Sequence, residues 1–245
     1  MEILTLSETE STNTYCKAHS GSLVAPVAVR TLAQTAGRGQ RGNSWEAAPG
    51  KNLTFSIVWR PVGVAPNEQF SISEATALGV VDYLKNRGIE AKVKWPNDIY
   101  VDNRKICGIL IEHSVAGTEI LRSVIGVGIN VNQEDFLSDA PNPVSMRNLT
   151  GLQYDLEKEM EQVCSQIERH LAEVATPDGR ERMHRAFMSN FWRYDGVDHP
   201  FREPASGRCY EGMIRDVDPA GFLKLEDIST GEIKEYAFKE VEFIL

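Results

Sequence analysis

Hydrophobic positions recur along this chain at two spacings, and the change from one to the other marks its elements. Leu53, Phe55, Ile57 and Trp59 alternate with other residues, the period of an antiparallel strand with one buried face. Short β-branched runs predict further strands at 2–6, 27–32 and 91–95, and a longer one at 120–131, interrupted by Gly126 and Gly128. A glycine inside a buried strand marks either a bulge or a close approach by a ligand, and both readings stay open. Two β-branched runs, 99–101 and 106–111, are joined by Asp102-Asn103-Arg104-Lys105 and predict a hairpin. Helical spacing begins at Ser71-Ile72-Ser73-Glu74, a capping box. Ala75, Leu78, Val81 and Leu84 follow on one face, and the helix stops near Gly88. A second amphipathic helix is predicted over 155–175 from Leu156, Met160, Val163, Ile167, Leu171 and Val174, and a third over 179–192. No regular pattern is visible between 132 and 155. From 195 to the end the chain reads as short strands and turns, a β-meander suited to a small barrel.

Composition narrows the classes. No apolar run approaches the ~20 residues that cross a bilayer. The start, MEILTLSETE, is acidic and lacks the basic region of a secretory signal, so a cytoplasmic protein is expected. The four cysteines are scattered without a CxxC pair and the five histidines without HExxH, which argues against a zinc site or a disulfide framework. A net charge of −9 argues against nucleic acid as the main partner.

Four stretches could carry chemistry. Ser11-Thr12-Asn13 precedes a short helical run, and its hydroxyls either cap that helix or face a ligand. Residues 34–45, QTAGRGQRGNSW, place three glycines and two arginines within six positions. Such a loop can fold its backbone N–H groups around an anion, or can be a plain surface loop. It is not a Walker A loop, because no Gly-Lys-Ser/Thr follows, and not a dinucleotide fingerprint, because a strand and not a helix comes next. Asn97 and Asp98 follow Pro96, where regular structure breaks. Lys105, by strict alternation, falls on the apolar face of Cys107, Ile109 and Ile111. There an ammonium needs an anionic partner or must snorkel to water.

In combination, SETESTN (7–13), QTAGRGQRGNSW (34–45), KWPND (94–98), RKICGILIE (104–112) and GVGIN (126–130) resemble the biotin protein ligases in order and spacing. The likeness covers most of residues 1–192. It implies an α+β fold: a mixed, largely antiparallel sheet flanked by helices (class II synthetase/biotin ligase-like, 1–194) and a small C-terminal SH3-like β-barrel (195–245). It implies ATP, biotin and Mg²⁺ as substrates and cofactor. Biotin's carboxylate would attack the α-phosphate of ATP to give biotinyl-5′-AMP. A lysine of a biotin carboxyl carrier protein, or of the acceptor domain of a carboxylase or decarboxylase, would then take the biotin. Homodimers are common in the family. The SETESTN motif starts at residue 7, which leaves no room for the DNA-binding domain some members carry, so no operator binding is expected.

The resemblance also implies roles. Lys105 matches a lysine between the biotin carboxylate and the α-phosphate, and Arg38 matches an arginine of the ligand loop. Gly37 and its neighbours permit close backbone approach. Ser11, Thr12 and Gln34 match groups that hydrogen-bond the ureido head. Gly108, Leu110 and Gly126 match the pocket wall, and Trp45 and Asn130 the adenylate side. Asn97 and Asp98 match a pair near the phosphates that positions either Mg²⁺ or the acceptor lysine. No direct metal ligand beyond Asp98 is assigned. Gln40 and Asn43 stand where the family commonly has arginine, and Arg41 replaces one of those charges on the adenylate. Two other readings are a lipoate or octanoate ligase, which needs a longer apolar pocket, and a non-catalytic biotin sensor.

Overall fold

The computed structural model describes residues 1–137 and 142–244, the side chain of Arg41 excepted. A seven-stranded sheet forms its centre, in the order β1 (Glu2–Thr9), β2 (Val27–Gln34), β3 (Leu53–Trp59), β7 (Glu119–Ile129), β6 (Arg104–Ala116), β5 (Asp98–Val101) and β4 (Lys92–Lys94). Only β1 and β2 run parallel; every other neighbouring pair is antiparallel. The fold is thus the mixed, mainly antiparallel α+β sheet expected.

One face of the sheet carries Phe55, Ile57, Ile109, Ile125 and Ile129 against α2 (Phe70–Lys85) and α4 (Leu156–Glu173), with α5 (Pro177–Ser189) packed on α2. The other face is covered at the β1–β3 end by α1 (Thr12–Ala18). Cys16 there meets Val27, Val29, Val58 and Val124. The interior strand β3 is therefore buried on both sides, not on one as its alternation suggests. At the β6–β4 end no helix among the described residues covers the same face, and the cleft forms there.

A smaller antiparallel sheet follows, in the order β11 (Ile233–Tyr236), β10 (Leu223–Asp227), β9 (Arg208–Val217), β8 (His199–Glu203) and β12 (Glu242–Phe243). It is tied to the large sheet at Trp95. The indole Nε1 donates to Gly221 O at 2.9 Å, and the ring lies edge-on to Phe238 at 6.3 Å. Among the described residues, Phe201, Ile214, Leu223 and Tyr236 join the same hydrophobic cluster as the main core. No described helix is long and apolar enough to cross a membrane.

Several local expectations are corrected. The capping box at Ser71 is not made: the chain enters α2 from a 3-10 turn at Pro66–Glu68, so the helix already begins at Phe70. Ser71 donates to Glu68 O instead, and Glu74 is buried against His184. The hairpin turn is the two residues Asp102-Asn103, with Asp102 at φ 53°, a conformation asparagine and aspartate tolerate. A short helix, α3 (Met146–Thr150), stands in the stretch without pattern, capped by Ser145. Gly126 and Gly128 make no bulge, because both neighbouring ladders run through them in unbroken register. The bulge lies elsewhere. Between β5 and β6, Ile99 pairs with Cys107 but Tyr100 pairs with Lys105, so Ile106 is an extra residue. That one residue moves Lys105 off the face of Cys107, Ile109 and Ile111 and onto the face of Gly108, where its Cε stands 3.4 Å from the place a Gly108 Cβ would occupy. Lys105 therefore opens the cleft and does not sit under the core.

Candidate active site

The floor of the cleft is a single row across the large sheet. Thr54 of β3, Gly128 of β7, Gly108 of β6, Asp98 of β5 and Lys94 of β4 are cross-strand partners in succession, so their side chains share one face. The next row on that face holds Ser56, Gly126 and Leu110. The glycines leave room for two side chains. A Cβ on Gly128 would lie 2.4 Å from Trp45 Cε2, and one on Gly108 would lie 3.1 Å from Trp45 Cζ3, so the indole rests flat over both. A Cβ on Gly126 would lie 2.4 Å from Asn13 Oδ1. The ligand-approach reading of these glycines thus has a built counterpart: they accept Trp45 and Asn13, which line the cleft.

Two adjoining cavities share this floor. The first, about 160 Å³, is lined at its polar end by Ser11, Thr12, Asn13 and Gln34, and on its wall by Leu110 and Gly126. The second, about 740 Å³, is lined by Tyr100, Asn130, Phe136 and Leu137. Trp45, Lys94, Asp98 and Lys105 border both.

The polar end is built by long-range hydrogen bonds. Ser11 takes the N-cap position of α1 but makes no capping bond. Gln34 does that work: its Oε1 accepts from the Thr12 N–H at 3.0 Å. The Ser11 hydroxyl is thereby left to line the cavity. Ser56 Oγ lies 2.7 Å from Thr12 Oγ1 and 2.6 Å from Asn13 Oδ1. Asn13 Nδ2 donates to Leu110 O and to Glu112 Oε2. Asn13, Thr54 and Ser56 carried no assigned role in the sequence reading. The signal available for Thr54 and Ser56 was their place opposite the Leu53–Phe55–Ile57 face.

Charge gathers at the junction of the cavities. Lys105 Nζ lies 2.7 Å from Asp98 Oδ1 and 5.7 Å from the Trp45 ring. Lys94, also unassigned from sequence, points over Tyr100 at 4.7 Å, with the Trp192 and Phe243 rings nearby. Burial holds its pKa below the ordinary lysine value, and neighbouring Lys105 pushes the same way while Asp98 opposes. Asn97 does not point freely at a ligand. Its Nδ2 donates to Ile109 O at 2.6 Å and its backbone O accepts from Ile109 N, which fixes the turn carrying Asp98.

The glycine–arginine loop is held mainly by its own backbone. It closes on itself: Trp45 N donates to Gly37 O, Gly39 N to Asn43 O and Asn43 N to Gln40 O, around a 3-10 turn at Gln40–Gly42. Those three N–H groups are spent within the loop itself. Gly37 lets the loop close tightly: a Cβ there would lie 2.3 Å from Trp45 O. The side chain of Arg41 is outside the described residues. Arg38 lines the first cavity, but its guanidinium stands 3.6 Å from Glu112. Asn130 anchors the second cavity. Its Nδ2 donates to Val144 O, while its buried Oδ1 and the buried Trp45 Nε1 have no partner among the described residues. An unpaired acceptor and donor at one cavity suit a ligand that offers both.

Among the described residues no three His, Cys, Asp or Glu groups converge as a metal site. Asp98 is the one expected metal contact, and Lys105 already pairs with it. That donor set fits a divalent ion that arrives on nucleotide phosphates and takes few protein ligands.

The architecture itself has known counterparts. The biotin protein ligase of Aquifex aeolicus, solved in complex with biotin and ATP, superposes with a TM-score of 0.79 at 22% identity, over 98% of this chain and 97% of that one. Sequence agrees with fold. The model of the biotin/lipoate A/B protein ligase family matches residues 6–130, and this chain belongs to that family. Among its relatives, the bifunctional ligase/repressor BirA of Escherichia coli K12 is 35% identical over 95% of this chain and 71% of its own length. The biotin–[acetyl-CoA-carboxylase] ligase of Paracoccus denitrificans is 30% identical over 90% of this chain and 92% of its own.

Proposed function

We infer that this chain is an ATP-dependent biotin–protein ligase. It forms biotinyl-5′-AMP and passes the biotin to a lysine of a carboxylase's biotin carrier. The observation that carries the residue assignments is the position of Lys105, which borders both cavities and is held there by Asp98.

In the first step two anions must meet, the biotin carboxylate and the α-phosphate. Coulomb repulsion between them falls where fixed positive charge faces both. The polar end formed by Ser11, Thr12 and Gln34 takes the ureido head, and the valeryl chain runs along Leu110 and Gly126. The carboxylate then arrives at Lys105. The adenylate side takes Trp45 as a stacking surface and Asn130 as a hydrogen-bonding group. Mg²⁺ would be carried in on the ATP phosphates and would offset their charge, with Asp98 the residue that would hold it. A carboxylate oxygen bonds to the α-phosphorus, the bond to the β-phosphate oxygen breaks, and pyrophosphate leaves. In the second step the acceptor amine, deprotonated near Asp98, bonds to the acyl carbon, and the C–O bond breaks to release AMP. Asn97 holds the Asp98 turn in place.

The polar end favours biotin over lipoate: a linear acyl chain would leave the Thr12–Ser56–Asn13 network facing apolar carbon. We further infer that 1–194 is the catalytic unit and 195–245 an SH3-like barrel, supported by the five antiparallel strands of the small sheet. ATP use and unpaired cysteines support a cytosolic setting. Incubation with ATP, Mg²⁺, biotin and a biotin-acceptor domain, read by mass spectrometry, tests the reading. A biotinyl mass on the acceptor is expected; lipoyl transfer in place of biotin, or no transfer, overturns it.

A further inference from the structure

Arg38 and Lys105 are both expected to act on the junction of carboxylate and phosphate, yet the structure holds them apart. Lys105 packs beside Gly108. Arg38 is drawn to Glu112, four residues further along β6, which is about 13 Å of strand. Glu112 is not a casual surface partner. It projects from the same face as Gly108 and Leu110, and its side chain is 23% exposed. Its two oxygens are divided. Oε2 accepts from Asn13, the residue that ties the polar end of the cleft together. Oε1 is shared by two cations: Lys17 Nζ at 2.9 Å and Arg38 Nη2 at 3.6 Å. Burial by itself would raise this carboxyl, but the hydrogen bonds from Lys17 and Asn13 and the charge of Arg38 outweigh it and hold it below the usual range. Glu112 is thus the anion of the cluster.

We propose that Glu112 is a positioning residue that holds Arg38 in a resting place away from Lys105, and that Lys17 sets how firmly it does so by competing for the same carboxylate oxygen. The contact is long for a hydrogen bond and Arg38 is half-exposed, so it is weak enough to be exchanged for a phosphate oxygen. Nucleotide binding then includes the departure of Arg38 from Glu112. This deepens the ligase reading and rests on it for the identity of the anion.

The test is calorimetric ATP binding in the presence of biotin, with adenylate formation by the unaltered protein measured separately. Glu112→Gln keeps an acceptor for Asn13 and removes the charge. The Kd for ATP should fall two- to fivefold, the range for an exposed ion pair worth up to ~1 kcal/mol, while biotin affinity stays within about twofold. Lys17→Met frees Oε1 for Arg38 and should raise the ATP Kd by a similar factor. In an Arg38→Ala background the Glu112→Gln effect should vanish. Opposite signs for the two single variants are the signature, since general loosening of the cluster would move both the same way. The proposal is overturned if Glu112→Gln leaves or raises the ATP Kd, if Lys17→Met lowers it, or if the Glu112→Gln effect persists without Arg38. Nucleotide binding that follows the expected order without any adenylate formed would instead overturn the ligase reading and leave this one standing.

Discussion

Gly126 and Gly128 lie two residues apart on one strand face, and each supports a different cleft side chain, Asn13 over Gly126 and Trp45 over Gly128. Alanine at either should therefore damage one ligand and spare the other. Neither glycine has a positive φ, and alanine suits a strand backbone at least as well, so the cost falls on side-chain neighbours. At Gly128 the new Cβ would meet Trp45 Cε2 at 2.4 Å. Carbon atoms rest about 3.5–4.0 Å apart, so the ring must retreat by ~1.3 Å. Stacking on an aromatic side chain contributes about 1–3 kcal/mol per base, so its loss corresponds to a ~5- to 150-fold fall in ATP affinity. At Gly126 the new Cβ would meet Asn13 Oδ1 at 2.4 Å. Asn13 is 3% exposed and hydrogen-bonded to Leu110 O and Glu112, so it can yield only by breaking bonds that are each worth about 1–3 kcal/mol when a buried partner is left unpaired. Biotin affinity should fall by a similar factor. Separate calorimetric titrations with biotin and with ATP, on both variants, read the pattern, and melting curves check that both still fold. Equal losses of the two ligands in both variants, or unchanged ATP affinity in Gly128→Ala, would refute the division of the cleft.

Lys105→Ala should lower adenylate synthesis by at least ~10²-fold while the protein still melts cooperatively, since one preorganised charge at a reacting centre is worth about 3 kcal/mol. Pyrophosphate release at near-normal rate in that variant would remove Lys105 from the mechanism. Arg38→Ala should let biotinyl-5′-AMP escape into water. Mass spectrometry of the filtrate after a single turnover checks this, and an adenylate retained as long as in the unaltered protein contradicts it. His184 joins three elements: its Nδ1 lies 2.7 Å from Glu74 Oε1 on α2 and its Nε2 2.9 Å from Asp216 Oδ1 on β9. The hydrogen bond the imidazole donates to Glu74 is the main cause that pushes it up to about 9, and burial raises the Glu74 carboxyl as well. Both pKa values are raised on folding, so both make the fold weaker as pH rises. The imidazolium's share is complete below pH ~6.5 and is lost as pH passes about 9, and for a group one-third exposed it amounts to about 1–2 kcal/mol. Melting temperature should therefore fall between pH 6.5 and 9.5 more steeply in the unaltered protein than in His184→Gln, and parallel curves would discount the link.

The elements with the strongest periodicity were legible in the sequence alone. The alternation of 53–59 and the helical face of 155–175 correspond to β3 and α4, because burial of a repeating face is a local pattern. The motifs that place Ser11, Thr12, Gln34, Trp45, Asp98 and Lys105 at one cleft could also be read, since their residue types carry the chemistry. What they do there belonged to the tertiary structure. Strict alternation put Lys105 under the core, and one extra residue at Ile106, visible only in the pairing of two strands, turned it toward the cleft. Ser11 read as either a helix cap or a ligand-facing hydroxyl; Gln34, brought in from β2, caps the helix and leaves that hydroxyl to face the cavity. The arginine loop read either as an anion cradle or as a plain surface loop; in the fold three of its N–H groups go to its own carbonyls, and Arg38 rests against a carboxylate on a distant strand. Periodicity is set by neighbours within a turn or a strand. The partner that satisfies a given donor or charge is set by which strands lie side by side, and only folding decides that.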